Sequence, residues 1–322
     1  MISRRVLLAA SPLLASPKIL SAQTAWPNER PVEVIVLAAA GGGVDAMTRL
    51  VMPLIAQQIP GMRVVVLNRP GAGGQIGLEA TFNAAGDGYT LGATTFPAHN
   101  AFPIERQVRY RPLDFTFICN IVEDANCFYV RADSPLKSLQ DLVAAAKARP
   151  EQITYATTGI GSDDHLFVLH FEELAGLKPM IQVPFAGAAP LIPQLLGGNM
   201  DVAAINVNDA IQLAREGKVR MLAQAAATRQ PEAADVPTFR ELGFDLVHGA
   251  SRGIVGPPNM PPAIVARLEA AFRTALSDEN FKREAARQFM PLNTMVGAEY
   301  RAFAQRVDDR LKQLWQVRPW RG

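Results

Sequence analysis

The chain has 322 residues, 49% of them hydrophobic and 19% charged, with a formal net charge of +2. That length supports two domains with cores of their own. The charge is balanced, with no basic stripe or acidic tail, so nucleic acid is not an expected partner, and no fixed-period repeat or low-complexity segment is present.

The first stretch, "MISRRVLLAASPLLASPKILSA", is laid out as an export signal: Arg4 and Arg5, a short apolar run, then small residues near Ala22. Ser3-Arg4-Arg5-Val6-Leu7-Leu8 resembles the twin-arginine signature, with an ordinary secretory signal as the alternative. The run is broken by Pro12 and Pro17 and falls short of the roughly 20 apolar residues that span a bilayer. Residues 1–25 are therefore expected to be a signal peptide, cut between Ala22 and Ala25, leaving a soluble periplasmic protein.

From Pro31 strands and helices alternate. "VEVIVLAAA" predicts a buried strand, and "DAMTRLVMPLIAQQI" an amphipathic helix with Met47, Leu50, Val51, Leu54 and Ile55 on one face. "MRVVVLNRP" predicts a strand, "GAGGQIGLEATFNAA" a glycine turn into a helix, and "DGYTLGATTF" a third strand behind an Asp-Gly turn. This alternation predicts parallel pairing in an α/β sheet covered on both faces.

"DFTFICNIVED" and "NCFYVRADSP" then read as two extended segments with no helix between them, which predicts a crossing between domains near 123–127. They carry both cysteines, Cys119 and Cys127; export permits a bridge, but two free buried strand cysteines are the expected state. Beyond them, helix and strand alternate from "SLQDLVAAAKARP" to "VRMLAQAAA", a second α/β unit. "RGIVGPPNMP" predicts another strand, and three helical stretches follow; the last, "GAEYRAFAQRVDDRLKQLWQ", is expected to pack back on the first unit. The return crossing falls near 228–250. The expected division is 26–124 with 229–322 as one lobe and 125–228 as the other, making a hinged clamp.

Gly41-Gly42-Gly43-Val44-Asp45-Ala46 satisfies G-x-G-x-x-A between a strand and a helix, the context of a dinucleotide-binding turn. The second strand, however, ends in Asn68-Arg69 and not in the acidic residue that holds a ribose. An exported nucleotide-dependent oxidoreductase is thus one reading. "TYATTGIGSDDHLF" supplies a second glycine turn at a helix N-terminus, where free N–H groups and a partial positive charge attract anions. Two such turns, one per lobe, would face each other across a cleft and hold a small carboxylate. Simple tight turns remain the plain alternative.

The segments "RPVEVIVLAAAGGGVDAMTRLV", "VVVLNRPGAGGQIGLEA", "AAGDGYTLG", "VPFAGAAPLIPQLLGGNMDVA" and "PTFRELGF" resemble, in this order, the tripartite tricarboxylate transporter substrate-binding proteins, the Bug or TctC family. The resemblance runs from about Trp26 to the C-terminus. It implies a type II periplasmic-binding-protein fold, with two doubly wound α/β lobes around a ligand cleft. It also implies a receptor, not an enzyme, without a cofactor or a bound metal. Such a receptor would close on a small organic acid and deliver it to a TctA/TctB-like membrane permease; the chain is expected to be a monomer, and Asp163 and Asp164 admit a zwitterion or amide as the ligand.

By position, the resemblance implies ligand contacts from Ala39, Ala40, Gly41, Gly42, Gly43 and Asp45 in the first loop. It implies Thr157, Thr158, Gly159, Gly161, Ser162, Asp163 and His165 in the second. Thr95, His99, Phe185 and Asn206, at the ends of other strands, are further candidates, with Phe96, Asn100 and Asn208 beside them. His99 reads first as an ordinary loop histidine, and Phe185 equally as core. The sequence departs from the family pattern at Ala38–Ala40, where prolines are usual, and at Asp163 and Asp164, where uncharged polar residues are usual. Ala186 stands for a lysine and Ile205 for an aspartate, so the cleft is expected to have lost a positive charge and gained negative ones. Asp163 and Asp164 read either as first-turn helix acids behind Ser162 or as acceptors for a cationic ligand group. No nucleophile elbow, HExxH or Walker loop is present.

Overall fold

A computed structural model describes residues 26–320; the expected export signal lies outside the described residues. The order is β1 (Val32–Val36), α1 (Gly43–Gln58), β2 (Val64–Asn68), α2 (Gln75–Phe82), β3 (Thr90–Phe96), α3 (Ala98–Glu105) and β4 (Thr116–Arg131). Next come α4 (Leu139–Ala148), β5 (Thr154–Thr157), α5 (Asp163–Leu174), β6 (Ile181–Pro184), α6 (Ala188–Leu196), β7 (Val202–Asn206), α7 (Val207–Arg215) and β8 (Val219–Gln224). The chain returns through β9 (Gly249–Gly256), α8 (Pro262–Ser277), α9 (Glu279–Arg287), β10 (Leu292–Val296) and α10 (Ala298–Val317).

The strands run β2-β1-β3-β9-β4-β7-β5-β6, with β10 and β8 also on β4. The β1–β2, β1–β3, β5–β6 and β5–β7 pairs are parallel, as alternation with helices predicts. β9 and β10 enter antiparallel; β10, in "PLNTMV", carries no strand signal strong enough to stand out between two helices. The two extended segments read around residue 124 form one continuous strand, β4. It pairs with β9 as far as Ala125↔Gly249 and with β7 from Asn126↔Asn206. Polar residues at Asp124 and Asn126 do not break it, because their side chains are bonded within the fold.

β4 is thus the spine of both lobes. On one side α1 and α8 pack Met47, Val51, Ile55, Leu268 and Phe272 against β1, β3 and β4. On the other, Phe128 of β4, Phe167 and Phe171 of α5 and Phe239 form an aromatic core, with ring centroids 4.7–5.8 Å apart. Phe239 and Leu246 belong to that second core. The segment after residue 228 therefore stays with the second lobe, and the chain returns at His248–Gly249, later than the expected boundary. Packing decides this, since "PTFRELGF" holds no regular element long enough to show its allegiance.

α10 packs on α3 and β4, as expected. Its C-terminal end reaches further: Leu311 and Trp320 cluster with Ala101 of α3 and Leu166 of α5. Arg318 pairs with Glu172 of α5 at 2.6 Å. Cys119 and Cys127 are free and buried. Eight residues apart on one strand, they are separated by roughly 26 Å, too far to bridge.

Candidate ligand-binding site

β1 is apolar and ends among small residues, so the chain can turn tightly into α1. Gly41 has φ +85°, in the left-handed region that favours glycine, and Gly42 is the N-cap of α1. Ala39 and Ala40 are exposed at the tip. Asp45, in the first turn, is buried. Its carboxylate accepts from Gly41 N at 2.9 Å, from Arg49 Nε at 3.0 Å and from Asn68 Nδ2 at 2.9 Å. Burial pushes its pKa up, but these donors outweigh burial and hold it below the usual value. Asp45 therefore braces the loop from behind. Asn68, whose Nδ2 also donates to Ala38 O, is part of the same brace, so the end of β2 is engaged with the protein's own loop.

The second loop leaves β5 at Thr157. Gly161 has φ +72°. Ser162 caps α5, accepting from His165 N at 3.2 Å while its hydroxyl donates to Gly159 O at 2.7 Å. His165 Nδ1 accepts from Gly161 N at 3.2 Å, and burial, then the Arg318 charge, depresses its pKa to about 4. Thr157 Oγ1 accepts from Gln182 Nε2 at 2.9 Å. Phe185 is half-buried against the second lobe's core.

Between the loops lies a buried charged centre. Arg252, on β9, donates Nη1 to Asp124 Oδ2 at 3.0 Å and Nη2 to Asn206 Oδ1 at 2.9 Å. Asn206 Nδ2 in turn donates to Asp163 Oδ2 at 2.9 Å. Asn126 Nδ2 donates to Asp163 Oδ2 at 2.8 Å and to Asp164 Oδ1 at 2.9 Å. Asp164 Oδ2 accepts from Thr158 N at 3.0 Å and Thr158 Oγ1 at 2.5 Å. Burial raises the Asp124 carboxyl to about 7 against the pull of Arg252. Burial and then the Asp163 charge raise Asp164 well above the carboxylate range. Asp209 is likewise raised by burial. Burial thus disfavours negative charge at these carboxyls, and the Arg252, Asn126, Asn206 and Thr158 donors oppose it.

Arg252 also reaches the first loop. A Cβ on Gly43 would lie 2.7 Å from Arg252 Nη1, so the guanidinium is seated against the N-terminus of α1. Thr95 is the ladder partner of Arg252. Thr95 Oγ1 and Arg252 Nε are both buried without a hydrogen-bond partner among the described residues. Two unmet groups beside a helix N-terminus can receive a carboxylate once the lobes part.

The structure brings together the first loop, Thr95, Asp163 and Asn206, and adds Arg252, Asp124, Asn126 and Asp209, which the sequence reading missed. A charged residue inside each crossover strand, Asp124 in "VEDAN" and Arg252 in "ASRGIVG", was the available signal. Arg252 places one positive charge in this centre, beside Asp124 and Asn206. His99 is not in the cleft: it is fully buried, with Nδ1 on Thr94 Oγ1 at 2.7 Å and Nε2 on Pro112 O at 2.9 Å, stacked on Phe96. Asn100 is buried beside it and donates to Asp308 Oδ1 at 3.1 Å. Both lie on α3, where a loop was expected. Asp164, saturated by Asn126 and Thr158, is a structural acid.

Residues 48–318 match the family described as the Tripartite tricarboxylate transporter family receptor. The protein BugT of Bordetella pertussis is 31% identical over 254 residues, which cover 78% of this chain and 77% of BugT. MatC from Rhodopseudomonas palustris, solved with bound malate, is 27% identical with a TM-score of 0.79, covering 89% of this chain and 99% of that one. Another R. palustris protein, solved with adipate, is 26% identical with a TM-score of 0.81, covering 91% and 97%. Among the described residues no helix is long and apolar enough to cross a membrane. With its two α/β lobes joined along β4 and its glycine turn at the head of α1, the chain belongs to the tripartite tricarboxylate transporter receptor family, the TctC/Bug periplasmic solute-binding proteins.

Proposed function

We propose that this chain is exported, loses residues 1–25, and captures a small organic acid between its lobes for delivery to a TctA/TctB-like permease as a monomer. The observation that carries the ligand class is the pairing of Arg252 and Thr95 beside the N-terminus of α1, each with an unmet buried polar atom. One carboxylate of the ligand takes the Arg252 and Thr95 donors and the N–H of Gly43 at the head of α1. Ser162 and Asn206 approach from the second lobe, which favours closure because a bridging ligand contacts both lobes only when they are shut. The malate and adipate found in two relatives of this fold support an acid of that size. The lobes are read as 26–124 with 249–320 and 125–248, split where β4 changes partner. The family assignment supports binding and release without a catalytic step.

Asp163 supports a narrower reading. Its Oδ2 takes both Asn126 and Asn206, and its other oxygen has no hydrogen bond among the described residues. That oxygen accepts from an ammonium or amide on the ligand, so a zwitterion or a half-amide fits better than a plain dicarboxylate.

The test is a thermal-shift and calorimetric screen of residues 26–322 against malate, succinate, adipate, glutamate and glutamine. A ligand at 100 times its Kd stabilises the fold by about 2.7 kcal/mol. The receptor reading fails if no acid binds. It stands and the narrower reading fails if dicarboxylates bind and Asp163→Asn leaves their order unchanged.

A further inference from the structure

Adjacent residues of a strand face opposite sides of the sheet. Thr95 and Arg252 face the ligand cleft, so their neighbours and mutual ladder partners, Phe96 and Ser251, face the reverse side. There lies a cavity of about 530 Å³, bounded by α10, α5 and the crossover at Val247–Ser251. α5 presents Leu166, His170 and Glu173, at i, i+4 and i+7, and α10 presents Phe303, Val307, Leu311 and Leu314. Both lobes and the hinge thus contribute walls.

The cavity has an apolar side and a polar end. Phe96, Leu166, Phe303, Val307, Leu311 and Leu314 form the first. Arg310, His170 and His248 form the second. Arg310 makes no ion pair or hydrogen bond among the described residues, and both imidazoles lie close enough for its charge to disfavour their protonation. Of the two carboxylates at the rim, Glu123 is engaged by Asn293 Nδ2, and Glu173 sits exposed beyond His170. The polar end therefore offers one unpaired guanidinium flanked by neutral rings. A concave, mainly apolar space with a few convergent polar groups is the ordinary form of a small-molecule site.

We propose that this cavity is a second ligand site, distinct from the cleft between the glycine loops, and takes an amphipathic monocarboxylate. The carboxylate pairs with Arg310, and the apolar body lies along α10 against Leu166 and Phe96. The site communicates with the cleft. His248 Nδ1 lies 2.9 Å from Asn126 Oδ1, and Asn126 Nδ2 holds Asp163 and Asp164. An occupant also touches α5 and α10 at once, so it acts on the angle between the lobes.

The experiment is calorimetry of residues 26–322 with octanoate, with tryptophan emission recorded in parallel, since Trp315 adjoins Leu314 on α10. Saturable octanoate binding that Arg310→Gln weakens by about tenfold or more, and that Gly43→Ala in the cleft leaves unchanged, is expected. Leu314→Trp, which fills the cavity without removing the charge, provides a second variant and is expected to abolish binding. Circular dichroism and melting temperature check that each variant is folded. The proposal is overturned if octanoate fails to bind at millimolar concentration, if octan-1-ol binds as tightly, if Arg310→Gln binds as wild type, or if Gly43→Ala removes binding and so assigns octanoate to the cleft.

Discussion

Arg252 Nη2 donates to Asn206 Oδ1 at 2.9 Å while Nη1 donates to Asp124 Oδ2 at 3.0 Å, so one side chain of β9 ties the spine strand to the cap of α7 in the other lobe. Both charged partners are buried. Removing one member of such a pair strands the other, at a cost of about 3–5 kcal/mol. Arg252→Met is therefore expected to lower the urea unfolding free energy by that amount at pH 7. Adding Asp124→Asn to it is expected to recover part of the loss. An Arg252→Met protein as stable as wild type would mean the pair contributes nothing net.

Gly42 and Gly43 offer a matched comparison. Neither has a positive φ, so alanine suits both backbones. A Cβ at Gly42 would meet only Ala39 O at 3.6 Å, whereas at Gly43 it would press on Arg252 Nη1 at 2.7 Å. Gly43→Ala is expected to displace the guanidinium and weaken binding of the acid found in the screen by about tenfold or more, roughly 1.4 kcal/mol. Gly42→Ala is expected to bind within about twofold of wild type. Equal affinities in calorimetry would separate Arg252 from the binding site.

Three buried histidines contribute to the loss of stability in acid. Burial depresses His99 to about 4, His165 to about 4 and His248 to about 3, from an ordinary value of 6.5. Below pH 6.5 the unfolded chain takes up protons that the folded chain refuses. Their contribution is complete above pH 6.5 and declines as pH falls toward 4. Asp124 acts in the opposite sense. With a folded value of about 7 against 3.8, its contribution is present at low pH and is lost as pH rises from 3.8 through 7. His248→Gln keeps a donor for Asn126 Oδ1 and removes one titration. Its stability between pH 6.5 and 4.5 is expected to fall less steeply than that of wild type, by up to about 1.4 kcal/mol per pH unit. Parallel curves in urea titrations would show that His248 does not refuse the proton.

The C-terminal end of α10 holds the lobes together a third time. Arg318 pairs with Glu172, which is buried and also accepts from Met180 N at 2.7 Å. Arg318 further donates to Leu169 O. Arg318→Met is expected to cost about 1–3 kcal/mol, the penalty of a buried acceptor left short of a partner. It is also expected to shift the free protein toward the open form, read as a larger radius of gyration in small-angle scattering. An unchanged radius would confine Arg318 to a purely local role.

The α/β alternation, the two glycine turns and the family membership were legible in the sequence because each depends on local spacing. Val and Ile density marks β1 and β2, the period of Met47, Val51 and Ile55 marks α1, and Gly41 and Gly161 mark positions where only glycine sits without strain. Such signals are complete within some ten residues. Tertiary structure alone decided the charged centre. Asp124, Asp163, Asn206 and Arg252 are dispersed over more than a hundred residues and meet only because β4 exchanges β9 for β7 at Asn126. Tertiary structure also sent His99 inward and Arg252 toward the cleft, since facing is set by a residue's ladder partner and the helix packed above it, and neither is a neighbour in sequence.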